Sequence, residues 1–289
     1  MWAFFMPQYF KHTLYFRYTA CIDIHLIIRR ITMKKPMLLV LTTGLVLTAC
    51  QPQSQSTDTT ISTNTIPLIQ AQTTPVSLSK DQVCHLETPE ESASCTKYHL
   101  QSITSNVPWI DQYFHERLKQ EHKEAFDPAH LPEVTLDPEL PSTNYSTASV
   151  RYVSQHYQLA TFEYFSDYFP AGAAHGMYHV DYVVFDLKQK QRLTLNDIVV
   201  PTQKEALKAE LFDYNREWLE QRHIGLKDFE LSNNFYFGAS GLVFVYPVYE
   251  LASYAEGISE LKLPYWALKD KILAQYLPQL PESSEDIYP

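Results

Sequence analysis

The sequence has no Walker motif, no dinucleotide-binding glycine fingerprint and no His-Glu-x-x-His pair, so nucleotide binding and zinc-peptidase chemistry have no motif to rest on. Positive charge is also sparse: 23 Lys and Arg stand against 33 Asp and Glu, for a formal net charge of −10. Six of those cations and one acid fall within residues 1–49, so the remainder carries −15. Such an acidic chain is a poor candidate for nucleic acid or anionic lipid head groups, and its field favours cationic partners. No apolar run is long enough to span a bilayer. The stretch Met37 to Leu47 falls short of the about 20 residues that a hydrocarbon core of roughly 30 Å demands.

That stretch follows Lys34 and Lys35 and ends in Leu47-Thr48-Ala49-Cys50. A basic start, an apolar middle and a small residue before the cut describe a secretory signal rather than a buried core helix. Leu47-Thr48-Ala49-Cys50 resembles the lipobox of bacterial lipoprotein signal peptides. The resemblance implies cleavage before Cys50, a diacylglycerol thioether on its sulfur, and anchoring to a membrane without spanning it. Residue 51 is Gln rather than the Asp that commonly retains lipoproteins at the inner membrane, which directs the expectation to the periplasmic face of an outer membrane. Residues 1–32 fit no targeting pattern, and Met33, followed by two lysines, reads as the initiation site. Arg29-Arg30 lacks the flanking residues of a twin-arginine signal.

Residues 50–80 are rich in Gln, Ser, Thr and Pro and read as a flexible tether. From Asp81 the composition becomes globular. Cysteine is scarce, and after Cys50 only Cys84 and Cys95 remain. In a compartment that permits disulfides they are expected to bridge a short loop. A metal half-site with His85 and His99 is the alternative, but the spacing matches no zinc motif.

Residues 82–86 and 95–103 read as two strands. Asn106-Val107-Pro108 reads as a helix start with Asn106 capping, and Ile110, Phe114 and Leu118 form its apolar stripe. His115 and His122, with Glu121 between them, could be a ligand set but fit a solvated helix face better. The region 128–141 is a proline-rich loop. Residues 148–169 form a hairpin turning near Gln155-His156, with Tyr157, Leu159, Thr161, Glu163 and Phe165 on one face of its second arm and Ala160, Phe162, Tyr164 and Tyr168 on the other. Met177–Leu187 is a further strand. A helix over 203–222 carries Leu207, Leu211, Tyr214 and Trp218, and hairpin strands lie at 235–237 and 242–246. A strand at 260–263 and a last helix from Tyr265 to Tyr276 close the chain. The pattern predicts an α+β fold of antiparallel hairpin sheets with two to three packed helices. Its portions are an N-terminal strand–helix part at 81–145 and a C-terminal part at 146–289.

The most suggestive stretch for chemistry is Ala171-Gly172-Ala173-Ala174-His175-Gly176, where small residues let a backbone approach a ligand and His175 could act as acid, base or ligand. A tight strand connection with a hydrogen-bonded histidine explains it better than catalysis does, since no carboxylate or nucleophile is fixed to His175 by spacing. His175 and His179, four apart on a strand, would stand roughly 13 Å from each other, too far for one metal. Gly238-Ala239-Ser240-Gly241 is a hairpin turn and not a nucleophile elbow, because a strand follows it.

The order of motifs is nonetheless recognisable. Tyr168-Phe169-Pro170-Ala171-Gly172-Ala173-Ala174-His175-Gly176 precedes Phe185-Asp186-Leu187 and Leu193-Thr194-Leu195-Asn196-Asp197-Ile198. Phe235-Tyr236-Phe237, Gly241-Leu242-Val243-Phe244 and Tyr249-Glu250-Leu251-Ala252-Ser253-Tyr254-Ala255-Glu256-Gly257 follow. Over about residues 150–272 this series resembles the RsiV-type domain, a domain of unknown function found in anti-sigma-factor ectodomains and beside peptidoglycan deacetylase domains. Ala173 departs from it, standing where the family usually has a second glycine. The resemblance implies an α+β fold without an ATP site, and a binding role. An anti-sigma member senses lysozyme by contact, and the deacetylase member keeps catalysis in a separate domain. The expectation is therefore a non-catalytic, lipid-anchored envelope module without cofactor, binding a cationic protein such as lysozyme, or peptidoglycan. The rival readings are an envelope hydrolase acting through His175 and a structural envelope-assembly lipoprotein.

Overall fold

Residues 65–85, 94–127 and 143–278 are described by the computed structural model of the chain. In order they form β1 (Ala71–Pro75), β2 (Gln82–His85), β3 (Ser94–Ser105), α1 (Pro108–Glu121), α2 (Lys123–Phe126), β4 (Thr143–His156), β5 (Leu159–Phe169), β6 (Met177–Asp186) and β7 (Gln191–Leu193). There follow α3 (Leu195–Ile198), α4 (Lys204–Tyr214), α5 (Arg216–Glu220), β8 (Phe235–Phe237), β9 (Gly241–Tyr246) and β10 (Ser259–Pro264). The larger sheet runs β1-β3-β4-β5-β6-β7, with β2 sharing one edge of β3 with β1, and the smaller runs β10-β9-β8. The fold is α+β, and its strand pairs are antiparallel except β3 with β4, whose connection carries α1 and α2. Among the described residues no helix is long and apolar enough to cross a membrane.

The period-2 pattern of β5 and β6 fills two cores, one on each face of the large sheet. Ala160, Phe162, Tyr164, Val183 and Phe185 join Ile110, Phe114 and Leu118 of α1 on one side. Phe185 is the hub, with the rings of Trp109, Tyr113, Phe114 and Phe162 within 5.2–5.8 Å. Leu159 and Val184 point the other way, into a core made with α3, α4, α5 and the small sheet. That second core covers only part of its face. Beyond it the cross-strand pairs Phe165–Val180 and Asp167–Tyr178 are half-buried.

Several sequence expectations need correction. Residues 65–80 are not tether: Ala71–Pro75 pairs with β3, Ile69 is buried, and Thr73 Oγ1 donates to the Val150 carbonyl at 2.6 Å. Composition hid this strand because an edge strand is held chiefly by main-chain bonds and needs few apolar residues. Residues 1–64, with Cys50, and the expected loop 128–141 lie outside the described residues. Asn106 does not cap α1. It accepts from Gln70 N and donates to Leu68 O, both at 2.9 Å, fixing the approach to β1. The first hairpin turns at 157–158, two residues later than expected, with Tyr157 at φ 51°.

The helix expected over 203–222 breaks at Asn215, whose Nδ2 donates to the carbonyls of Leu211 (2.8 Å) and Lys262 (3.2 Å). Past that break Leu219 reaches the core, and Tyr214 is left exposed. The last helix is instead two 3₁₀ turns, Tyr265–Leu268 and Ala274–Tyr276. Asp270 at φ 64° lies between them, and Ile272 bridges to Val199.

Candidate functional site

The connection between β5 and β6 begins as a tight turn, with Ala173 N donating to Pro170 O at 3.2 Å and Ala171 N to Asn144 Oδ1 at 2.8 Å. Gly172 sits at its tip at φ 75°, exposed. His175 Nδ1 donates to the carbonyl of Gly176 at 2.9 Å, and its ring stacks on Tyr254 with centroids 4.2 Å apart. Gly176 is buried, and its carbonyl also accepts from Tyr254 Oη at 3.0 Å. A side chain cannot be added there cheaply, because the place of its Cβ lies 2.7 Å from Asp167 Oδ1 and 3.1 Å from the Tyr168 carbonyl. His175 and Gly176 thus share one assembly, and Gly172 stands apart from it.

Tyr254 arrives from the loop that follows β9. Its 3₁₀ turn, Tyr254–Glu256, is closed by a capping box in which Glu256 Oε1 takes Ser253 N and Oγ. An ion pair from Arg222 holds Glu256, and that contact keeps its carboxyl below the usual carboxylate range. Around Tyr254 stand Tyr178 at 5.8 Å and Tyr249 at 5.7 Å between ring centroids, and Phe165 stacks on Tyr178 at 6.4 Å. Tyr249 is 57% exposed although its φ is 70°, a backbone region that costs a bulky residue roughly 1–2 kcal/mol. Burial raises the Tyr254 phenol above its ordinary pKa, with Tyr178, Asp167 and Tyr249 adding to the shift.

Sequence reasoning found His175 and the loop around it but missed Asp167, Tyr178 and Tyr249 as neighbours. The Tyr249–Gly257 series was visible, yet nothing in spacing joins it to a loop 78 residues earlier. The His115, Glu121 and His122 set is separated: His115 lies edge-on to Phe126, and His122 meets Tyr98 and Ser146. No group of three His, Cys, Asp or Glu among the described residues could hold a metal. Cys84 and Cys95 are direct cross-strand partners, Cα atoms 3.9 Å apart, and form a disulfide.

A second polar cluster lies between α1 and β6. Arg117 pairs with Asp181 (2.5 Å) and Glu121 (2.9 Å) and lies 3.9 Å over the ring of Tyr164, whose hydroxyl donates to Glu121. Burial opposes the Arg117 charge, but Asp181 and Glu121 outweigh it and raise its pKa. Burial, with Glu121, raises the Tyr164 phenol as well. Both carboxylates share the one guanidinium, which makes the cluster a clamp of α1 onto the sheet.

Residues 186–266 match the DUF3298 family model, described as a protein of unknown function. The DUF3298 stretch runs from the end of β6 into the turn after β10, so it includes Tyr249 and Tyr254 but not Asp167 or His175. A crystal structure of a DUF3298 family protein from Pseudomonas aeruginosa PAO1 is similar, with a TM-score of 0.51 and 20% identity over 74% of this chain and 99% of that one. It extends the likeness in fold well beyond the matched stretch. A member of the DUF3298 family from Bacteroides fragilis NCTC 9343 has a TM-score of 0.47 and 16% identity, covering 73% of this chain and 96% of that one. No curated protein matches the chain.

Proposed function

We propose that this chain is a non-catalytic binding module of a bacterial cell envelope, of the RsiV type, anchored by lipid on Cys50. Its ligand is a cationic protein of the lysozyme class. The lipobox at Leu47–Cys50 supports the anchor, and the Cys84–Cys95 disulfide suits an oxidising compartment. The observation that carries the binding role is the meeting of the 171–176 and 249–257 loops in a partly exposed cluster of tyrosines beside Asp167. Aromatic faces with a carboxylate suit cationic side chains, and the charge of −15 after residue 49 draws such a partner in. The hydrolase reading is weaker, because among the described residues no hydroxyl or thiol nucleophile is hydrogen-bonded to His175, whose Nδ1 donates to the Gly176 carbonyl and whose ring lies on Tyr254. A general base needs one nitrogen held by an orienting group and the other facing a nucleophile.

The test uses the full-length chain purified in detergent, with hen lysozyme as ligand and peptidoglycan sacculi as competitor. Binding should weaken steeply between about 20 and 300 mM salt, as steering by unlike charge requires. Absence of lysozyme binding at low salt would remove that ligand. Turnover of peptidoglycan or model esters that disappears in His175→Ala would overturn the module reading.

A further inference from the structure

Asp167 has an uncommon environment for a carboxylate on a sheet. It is half-buried in β5, yet its carboxylate makes no hydrogen bond and no ion pair with any described residue. Other carboxylates at comparable depth are matched: Asp181 holds Arg117, and Glu163 holds Arg151. Asp167 instead fills the space left by the missing side chain of Gly176, with Tyr178 as its cross-strand partner on β6. Gly176 in turn presents its carbonyl to Tyr254, and Tyr249 leans on Tyr254 from the solvent side. An unmatched carboxylate therefore lies opposite Tyr178 and against the glycine that Tyr254 holds, with Tyr249 one ring further out. His175 covers one face of Tyr254 and Phe165 stacks on Tyr178, so the exposed ring of Tyr249 offers the free face, and its negative quadrupole reinforces the carboxylate in attracting a cation.

We propose that Asp167, with the rings of Tyr178, Tyr249 and Tyr254, forms a seat for one guanidinium or ammonium group of the partner. The inference rests on the cationic-partner reading and gives it a specific point of contact. Gly176 is a positioning residue: any larger side chain displaces the carboxylate from the seat. The left-handed backbone of Tyr249 has the same role, since it keeps that ring turned outward at a conformational cost.

The experiment measures binding of an arginine-rich dodecapeptide to the full-length chain in detergent, beside the same peptide with citrulline in place of arginine. The wild type is expected to bind the arginine peptide and not the uncharged one. Asp167→Asn and Tyr249→Gly should each weaken binding about tenfold or more. Tyr249→Gly relieves a strained backbone, so its melting temperature should hold or rise while binding falls, which separates lost contact from lost fold. Glu205→Gln removes one exposed charge from α4, away from the seat, and should leave affinity within about twofold. Equal affinity in wild type, Asp167→Asn and Tyr249→Gly overturns the seat and leaves the cationic-partner reading standing. Equal weakening by Asp167→Asn and Glu205→Gln also overturns it, since net charge alone would then explain the effect. A wild type that binds neither lysozyme nor the arginine peptide overturns both.

Discussion

The hydroxyl of Tyr254 donates to the main-chain carbonyl of Gly176 at 3.0 Å, tying the loop after β9 to the loop before β6. That bond runs from the small-sheet region to the large sheet, and the aromatic cluster is assembled around it. Four further properties of the chain can be measured.

Phe185 touches four aromatic rings and is fully buried. Phe185→Ala should destabilise the protein by about 3–5 kcal/mol through lost transfer energy and an unfilled cavity. A urea titration followed by tyrosine and tryptophan fluorescence reads this as a lower midpoint at unchanged slope.

The Cys84–Cys95 bridge closes a short loop at the start of β3. Replacing both cysteines with serine should cost up to about 3 kcal/mol, the loop-entropy figure for a ring of about a dozen residues. A reductant should move the wild-type urea midpoint toward that of the double variant and leave the variant where it is.

Stability should pass through a plateau and fall on both sides. Burial lowers the pKa of His122, and the neighbouring Glu121 only partly opposes it. The unfolded chain therefore takes up that proton first, and stability present above about pH 6.5 is lost as pH falls. At the alkaline end, burial and Glu124 raise Tyr98 to about 12, and burial raises Tyr265 to about 12. The unfolded phenols ionise near pH 10 while the folded ones keep their protons, so stability present below about pH 10 declines above it. Melting temperatures from pH 4 to 11 test both limbs, and His122→Phe should flatten the acid one.

Cys50→Ala should leave an unprocessed precursor that incorporates no labelled palmitate. Continued cleavage at the same bond with retention in the membrane under carbonate wash would refute the anchor.

Where burial follows a local period, the sequence was legible. The stripe Ile110, Phe114 and Leu118 and the opposed sets Leu159 and Ala160, Phe162, Tyr164 each obey one repeat, and all are buried as that repeat requires. The cysteine pair was legible because proximity in sequence and compartment chemistry agreed. The two-core arrangement was harder, since the start of β5 buries residues of both sets, Leu159 and Thr161 on one face and Ala160 and Phe162 on the other, and only the second layer reveals where each one goes. The break at Asn215 depends on a carbonyl of β10, a contact that no helical window contains. The neighbours of His175 escaped for the same reason. A hydrogen bond across 78 residues and an unmatched Asp167 are properties of the folded surface and have no local pattern.

The crosslink between β2 and β3 also changes what cutting the chain would do. Cys84 and Cys95 join the two sides of residues 85–94 covalently. A protease that cleaves one peptide bond in that interval opens a ring and releases nothing. Everything N-terminal to the cut, including β1 and any lipid on Cys50, stays bonded to the body that carries Asp167 and Tyr254. The same cut followed by reduction leaves only non-covalent strand pairing, so detaching the N-terminal segment from the body requires two different chemical events.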